Sequence, residues 1–232
     1  MPRYTSAYSS FVSRLDEVHL LHRIASTKEK VDPVKMRKEI NVFCRAAIVL
    51  LCAHLEAYIK EVGEVALNNM TQRAVLRTKL KNRFYYHISK DILDGVRDTA
   101  DPDKLAVKLF EFLASDLPYW SRVGPFPRAL PVDRFNKGFS NPSFEKIRAY
   151  FNRFGYLAYK DDLARLLKAK YAVTTNMVNH LVDTRNKIAH GDITAVKPPA
   201  DVKDMIVIIR TYSAATDAVF ASWCKTNFCS IR

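Results

Sequence analysis

Apolar residues recur every three to four positions along most of the chain, which is the spacing of one face of an α-helix. The first such stripe covers residues 5–26, and a longer one follows the Asp32-Pro33 pair and continues to residue 69. Asp32 is suited to cap exposed amides, and Pro33 is tolerated at a first helical position. We therefore expect a second helix of roughly 50 Å, at about 1.5 Å per residue, to be the spine of the core.

Shorter stripes of the same period predict several further helices. Asp101-Pro102 repeats the start signal, and Gly155 and Gly191 are suited to end helices in the left-handed conformation. The predicted helices cover residues 71–80, a segment starting at 102 that carries Leu105, Leu109, Phe110 and Leu113, 143–154, 161–171, a segment from Thr174 or Thr175 to 190, and 201–228. No alternation typical of strands is evident. The fold class predicted is all-α, a helical bundle.

A proline-rich stretch interrupts this pattern. Residues 117–142 contain five prolines and two glycines, which excludes a regular helix through them. We expect a single domain over residues 1–232, with a loop-rich insertion at 115–160. Arg122 and Arg128 make the stretch electropositive and are candidate substrate-binding residues. Long loops are often functional, so a substrate-covering or partner-binding role and a passive insertion are both open.

The charge balance favours a polyanionic partner. The 232 residues contain 37 Lys and Arg against 24 Asp and Glu, a net charge of +13. Such a surface attracts RNA, DNA or an acidic protein, and charge alone does not choose among them. The length suits one sizeable core or at most two small ones.

Membrane insertion and metal binding are not expected. The N-terminus lacks a signal-peptide series, and the longest uninterrupted apolar run, residues 46–53, is far shorter than the ~20 residues of a spanning helix. We predict a soluble, cytoplasmic protein. The four cysteines lack the paired spacing of metal ligands and are expected to be core thiols, so no metal and no cofactor is predicted.

Residues 183–192 are where the sequence suggests chemistry. Arg185 is a permanent cation that can hold a phosphate through its planar fork, and His190 carries an imidazole that can take or give a proton. This pair is sufficient for cutting RNA without a metal. The same Arg-x4-His spacing occurs at Arg14 and His19, so the spacing alone is not diagnostic. The polar Asn186 and the helix-ending glycine distinguish the C-terminal copy.

The segments 185–191 and 51–59 together resemble the HEPN superfamily, in particular its toxin and defence branch. This resemblance implies a metal-independent endoribonuclease that acts as a homodimer on an RNA substrate, with an antitoxin or defence-system protein as a further partner. It also implies that Arg185 and His190 are catalytic, together with Asn186, and that Glu56 is a supporting residue. Lys187 is a candidate substrate-binding residue beside the motif. Other members of the superfamily are inactive binding modules.

The expected reaction is attack of an RNA 2′-hydroxyl on the adjacent phosphate, with His190 as general acid or base and Arg185 stabilising the transition state. Five residues along a helix correspond to about 140° of rotation, so a two-fold dimer would join the pair more easily than one chain. Alternatively, Arg185 forms an ion pair with Asp183 or Glu56, and the protein is a nucleic-acid-binding or nucleotide-binding module or a dimerisation scaffold. Because Glu56 lies among apolar neighbours, we expect it to have a hydrogen-bond partner.

Overall fold

The computed structural model describes residues 4–231, and the helical prediction is confirmed. Within that range no β-strand is present, and the one extended pairing is a bridge between Leu76 and Pro125. The first three residues and the last residue of the predicted domain lie outside the described range. The helices are α1 (Ser6–Val31), α2 (Arg37–Gln72), α3 (Asn82–Ile88), α4 (Lys90–Arg97), α5 (Pro102–Ser115), α6 (Leu117–Trp120), α7 (Val132–Asn136), α8 (Phe144–Arg153), α9 (Tyr159–Leu167), α10 (Tyr171–Ala189) and α11 (Pro199–Asn227).

Helices α1, α2, α10 and α11 form the central bundle, and α2 packs against the other three. The apolar stripe predicted for α2 is buried as expected, with Leu51, Leu55 and Ile59 fully inaccessible. On α1, Phe11 and Val18 are likewise fully buried. The predicted role of α2 as the spine of the core is therefore confirmed.

By length and composition alone, α2 is also apolar enough to cross a membrane, because its most apolar 18-residue window has a mean hydropathy of 1.7. Half of that window is buried inside the fold. A core helix that is covered by three neighbouring helices has this same composition. Its place in the bundle therefore accounts for its apolar character.

Two predicted helix starts are wrong. Helix α2 begins at Arg37, because Asp32 and Pro33 form a turn in which the Asp32 carboxylate accepts the amides of Val34 and Lys35 at 3.1 and 2.9 Å. The motif helix α10 begins before the two threonines, at Tyr171. The hydroxyls of Thr174 and Thr175 donate to the carbonyl of Tyr171 at 3.0 and 2.9 Å, so they bond back into the helix instead of capping it.

The region between α2 and α5 also differs from the prediction. Residues 77–79 form a single 3₁₀ turn rather than part of a helix over 71–80. The start of α5 is confirmed, since the Asp101 carboxylate accepts the amide of Lys104 at 3.0 Å. However, α5 buries no residue, and its periodic apolar residues Leu109, Phe110 and Leu113 are exposed. Helix α5 packs on α4 and α6, and this leaves most of its surface uncovered.

Helices α3 to α8 include the proline-rich stretch, which contains α6 and α7. Aromatic packing joins this region to the bundle. The rings of Phe135 and Phe154 lie 4.6 Å apart, and those of Phe139 and Tyr150 lie 4.9 Å apart. Tyr150 is fully buried and lies across α2 at Gly63. A single hydrophobic cluster therefore continues from the bundle into this region.

We expect Gly63→Ala to destabilise the protein, because a Cβ at this position would lie 1.9 Å from the hydroxyl oxygen of Tyr150. Overpacking of a close helix contact costs about 1–3 kcal/mol. Gly95→Ala in α4 is the matched control. Its Cβ would meet only the flexible end of Lys108, at 3.4 Å, so a gain in helix propensity of up to about 1 kcal/mol is expected. Urea denaturation measures both variants, and equal stabilities would contradict the packing described at Gly63.

Candidate functional site

The end of α10 holds the 183–192 segment in a defined conformation. Gly191 has φ +80°, and its amide donates to the carbonyl of Ile188 at 3.1 Å. The amide of Asp192 donates to the carbonyl of Lys187 at 3.0 Å, which completes a Schellman motif. The predicted end of this helix at its glycine is confirmed, and His190 is the residue at which the helix terminates.

Arg185 is held by two asparagines. One terminal nitrogen of its guanidinium, Nη1, donates to Oδ1 of Asn141 at 2.8 Å and to Oδ1 of Asn186 at 3.1 Å. Asn141 belongs to the loop before α8 and has φ +52°, a left-handed conformation that asparagine tolerates better than most residues. The proline-rich stretch thus supplies one of the two side chains that orient the motif arginine.

The same asparagine connects Arg185 to α2. The backbone amide of Asn141 donates to Oε2 of Glu56 at 3.0 Å, and Lys60 donates to Oε1 of that carboxylate at 2.7 Å. The expectation that Glu56 has a partner is confirmed. Within residues 4–231, Arg185 forms no ion pair with Glu56 or Asp183; Asn141 stands between the arginine and the Glu56 carboxylate.

A cavity of about 290 Å³ opens at this cluster, lined by Cys52, Ala53, Glu56, Ala57, Lys60 and Arg185. The Nε and Nη2 groups of Arg185 have no hydrogen-bond partner among residues 4–231. Two cations and one carboxylate line the cavity, so its balance is positive. A half-buried guanidinium with free donors beside a lysine is suited to bind a phosphate.

Cys52 forms part of the wall of this cavity and is almost completely buried. Burial raises the pKa of its thiol to about 11, although the charge of Arg185 opposes the shift. The thiol is therefore protonated at neutral pH and is a poor nucleophile. Three of the four cysteines are buried, as expected for core thiols. Within residues 4–231, no three His, Cys, Asp or Glu side chains are grouped as metal ligands would be.

His190 lies outside the Arg185 cavity. Its side chain is exposed and does not line the cavity. No hydrogen bond or ion pair holds the imidazole to another residue in the part of the chain described, 4–231. Asn186 lies four residues, about one helical turn, before His190. Its side chain accepts a hydrogen bond from Arg185. The imidazole is therefore not part of the wall of the cavity that Arg185 lines within one chain.

The other candidate substrate-binding residues are also separate from the cavity. Lys187 is exposed on α10. Arg122 lies over the ring of Tyr85, 5.8 Å from its centroid, and lines a different cavity. Arg128 lies over the ring of Tyr119, at 4.8 Å. These two arginines pack on aromatic residues outside the bundle core, and their substrate contacts stay a prediction.

The N-terminal copy of the Arg-x4-His pattern is engaged differently. Both terminal nitrogens of Arg14 donate to the carboxylate of Glu61, at 2.6 and 2.9 Å. Because both terminal nitrogens are engaged, the Arg14 guanidinium has few donors left for a ligand. Arg14 therefore joins α1 to α2 as a structural residue.

Two residues of the cluster were missed from the sequence. Lys60 lies four residues after Glu56, a spacing at which opposite charges meet on a helix, so it could have been found. Asn141 precedes Pro142, which signals a turn, but no local feature relates it to Arg185, 44 positions away along the chain.

Comparison with known proteins identifies one family. The family described as RiboL-PSP-HEPN matches residues 10–222, which include both Arg-x4-His segments, the whole insertion and α2. No curated protein and no solved structure matches the chain.

Proposed function

The chain belongs to the RiboL-PSP-HEPN family, and on this premise we propose that it is a metal-independent endoribonuclease. The observation that supports this most directly is the Arg185 cavity. There the motif arginine is oriented by Asn141 and Asn186 while half of its fork stays unpaired. Such a group binds a phosphate and stabilises the charge that builds on it during transfer.

In the proposed reaction the 2′-hydroxyl of RNA attacks the neighbouring phosphorus, and the 5′-oxygen leaves. The products are a 2′,3′-cyclic phosphate and a free 5′-hydroxyl. His190 removes the proton from the 2′-hydroxyl or supplies one to the leaving oxygen. Arg185 binds the non-bridging oxygens, and Glu56 supports it by holding the backbone of Asn141 in place. DNA has no 2′-hydroxyl and is not cut.

The site is proposed to be composite. Because His190 lies outside the Arg185 cavity of its own chain, a second copy of the chain contributes the histidine. In a two-fold homodimer, each of two equivalent sites then contains an arginine from one protomer and a histidine from its partner. Dimerisation is thus part of the catalytic proposal.

The proposed biological setting is that of a cytoplasmic toxin or antiviral-defence effector, restrained by an antitoxin or another defence-system protein. This rests on the resemblance of residues 51–59 and 185–191 to that branch of the superfamily. The net charge of +13 is consistent with an RNA substrate.

Incubation of the purified protein with RNA in excess chelator tests the activity. We expect cleavage of single-stranded RNA and no cleavage of DNA of the same sequence, with cyclic-phosphate and 5′-hydroxyl ends identified by enzymatic end-labelling. The exposed position of His190 favours one alternative, a non-catalytic RNA-binding module. Salt-dependent binding without any product would support that alternative, and absence of binding at low salt would point to a dimerisation scaffold.

A further inference from the structure

A second cavity, of about 370 Å³, lies at Lys137 and Gly138. A short surface segment runs from there to Asn141, which contacts Arg185. Its walls include Lys90, Asp91, Arg134, Lys137 and Arg153, together with Gly138. Four of these side chains are cations. None of the predicted site residues lines it.

Three of the four cations have carboxylate partners. Lys90 pairs with Asp94, Arg134 pairs with the fully buried Asp116, and Lys137 pairs with Asp91 at 2.8 Å. The four cations therefore face three carboxylates, so the balance is positive by one. The cavity is suited to receive one anionic group.

Arg153 is the cation without a carboxylate partner in the described part of the chain, residues 4–231. It donates to the backbone carbonyl of Lys137 at 3.2 Å and to that of Phe135, and its guanidinium lies 5.2 Å from the ring centroid of Tyr150. Burial lowers its pKa, yet an arginine stays charged at neutral pH. A half-buried, unneutralised guanidinium is stabilised by an incoming anion.

His87 also lines this cavity. Burial, together with the positive charges of Arg153, Arg83 and Lys90, lowers the pKa of His87 to about 4, while the carboxylate of Asp94 opposes the shift. The imidazole is neutral at pH 7, where it can still donate or accept a hydrogen bond to a ligand oxygen.

The segment 137–141 joins the two cavities. Lys137, Gly138 and Ser140 are exposed, while Phe139 is buried against Tyr150 and fixes the segment to the fold. Lys146 donates to the carbonyl of Ser140 at 3.1 Å and adds a cation midway. Asn141 follows Lys137 by four residues, which span at most about 14 Å of extended chain, so a few nucleotides can reach from one cavity to the other.

We propose that the cavity at Lys137 and Arg153 binds a backbone phosphate of the same RNA strand whose scissile phosphate lies at Arg185. The enzyme would then select a single strand several nucleotides long and hold it along residues 137–141. This inference rests on the proposed function for the location of the scissile phosphate. It assigns a substrate-positioning role to the insertion.

Fluorescence anisotropy with an uncleavable 2′-O-methyl RNA octamer tests the proposal. Lys137→Ala is expected to weaken binding and to reduce the slope of log affinity against log salt by about 0.7, the value for one phosphate contact on a single strand. Asp91→Asn is expected to tighten binding, because it removes the carboxylate that competes with phosphate for Lys137. If the pair between Lys137 and Asp91 were purely structural, each of the two variants would bind the octamer more weakly than the wild type or equally tightly.

Lys35→Ala is the matched control, since this lysine is exposed and lies 3.9 Å from Asp32 in the turn between α1 and α2. We expect it to leave octamer affinity within about twofold of wild type. An unchanged affinity in Lys137→Ala, an equal loss in Lys35→Ala, or a loss in Asp91→Asn would each overturn the proposal. Cleavage of a dinucleotide, which spans only the Arg185 site, reports the proposed function independently. Octamer binding together with no cleavage of the dinucleotide would reject the nuclease while leaving the second phosphate site intact.

Discussion

Arg185→Ala is expected to reduce RNA cleavage by at least about a hundredfold, because removing one preorganised donor to a developing charge costs roughly 10²–10³ in rate. His190→Ala is expected to lose about 10²–10⁴, the usual contribution of a general acid or base. Rates measured in excess chelator with a saturating oligonucleotide give both values. Activity at the wild-type level in either variant would remove that residue from the mechanism.

The chain carries its own matched control for these variants. Arg14 and His19 have the same spacing, but Arg14 is paired with Glu61. We therefore expect Arg14→Ala and His19→Ala to retain cleavage. The Arg185 variant loses hydrogen bonds to Asn141 and Asn186. Both asparagines are only partly buried, so water can replace the guanidinium and the fold should be retained. Thermal denaturation checks that the lost activity is not lost structure.

Mixing the two inactive variants is expected to restore activity. In a dimer of one Arg185→Ala chain and one His190→Ala chain, one composite site lacks both residues and the other retains both. After random exchange at equal concentration, half of the dimers are mixed, so roughly a quarter of the wild-type sites are intact. Recovery of about this fraction, measured after subunit exchange under mild denaturant, supports a site shared between protomers.

The same experiment distinguishes a shared site from one within a chain. If each chain used its own arginine and histidine, every site in the mixture would lack one residue and no activity would return. A tandem fusion of one chain of each kind serves as a control with fixed stoichiometry. Absence of recovery in both formats, with dimers confirmed by light scattering, would contradict the composite site.

Helix starts and ends were predictable where the hydrogen bonds that make them are local. Asp101, Ser143, Gly155 and Gly191 behave as expected, since each bonds to a backbone or adopts a conformation within a few residues of itself. Asp32 shows the limit of this reasoning. Its carboxylate accepts nearby amides as predicted, but in a turn that precedes the helix, which begins at Arg37.

Burial was less predictable than helicity in and around the proline-rich stretch. Leu109, Phe110 and Leu113 of α5 are exposed although this helix packs on α4 and α6, while Phe139, within the irregular loop, is buried. Helical periodicity identifies a face, and it does not identify what covers that face. The helix groove that receives Tyr150 at Gly63 was not predicted from the sequence either.

The sequence by itself determined the all-α class, the central role of α2 and the end of the motif helix at Gly191, because these depend on periodicity and on bonds between near neighbours. Only the tertiary structure decided which Arg-x4-His pattern keeps a free arginine, since the partners that matter, Glu61 for Arg14 and Asn141 for Arg185, come from other segments. It also separated His190 from the Arg185 cavity. Contacts between distant segments follow from packing, and no local pattern encodes them.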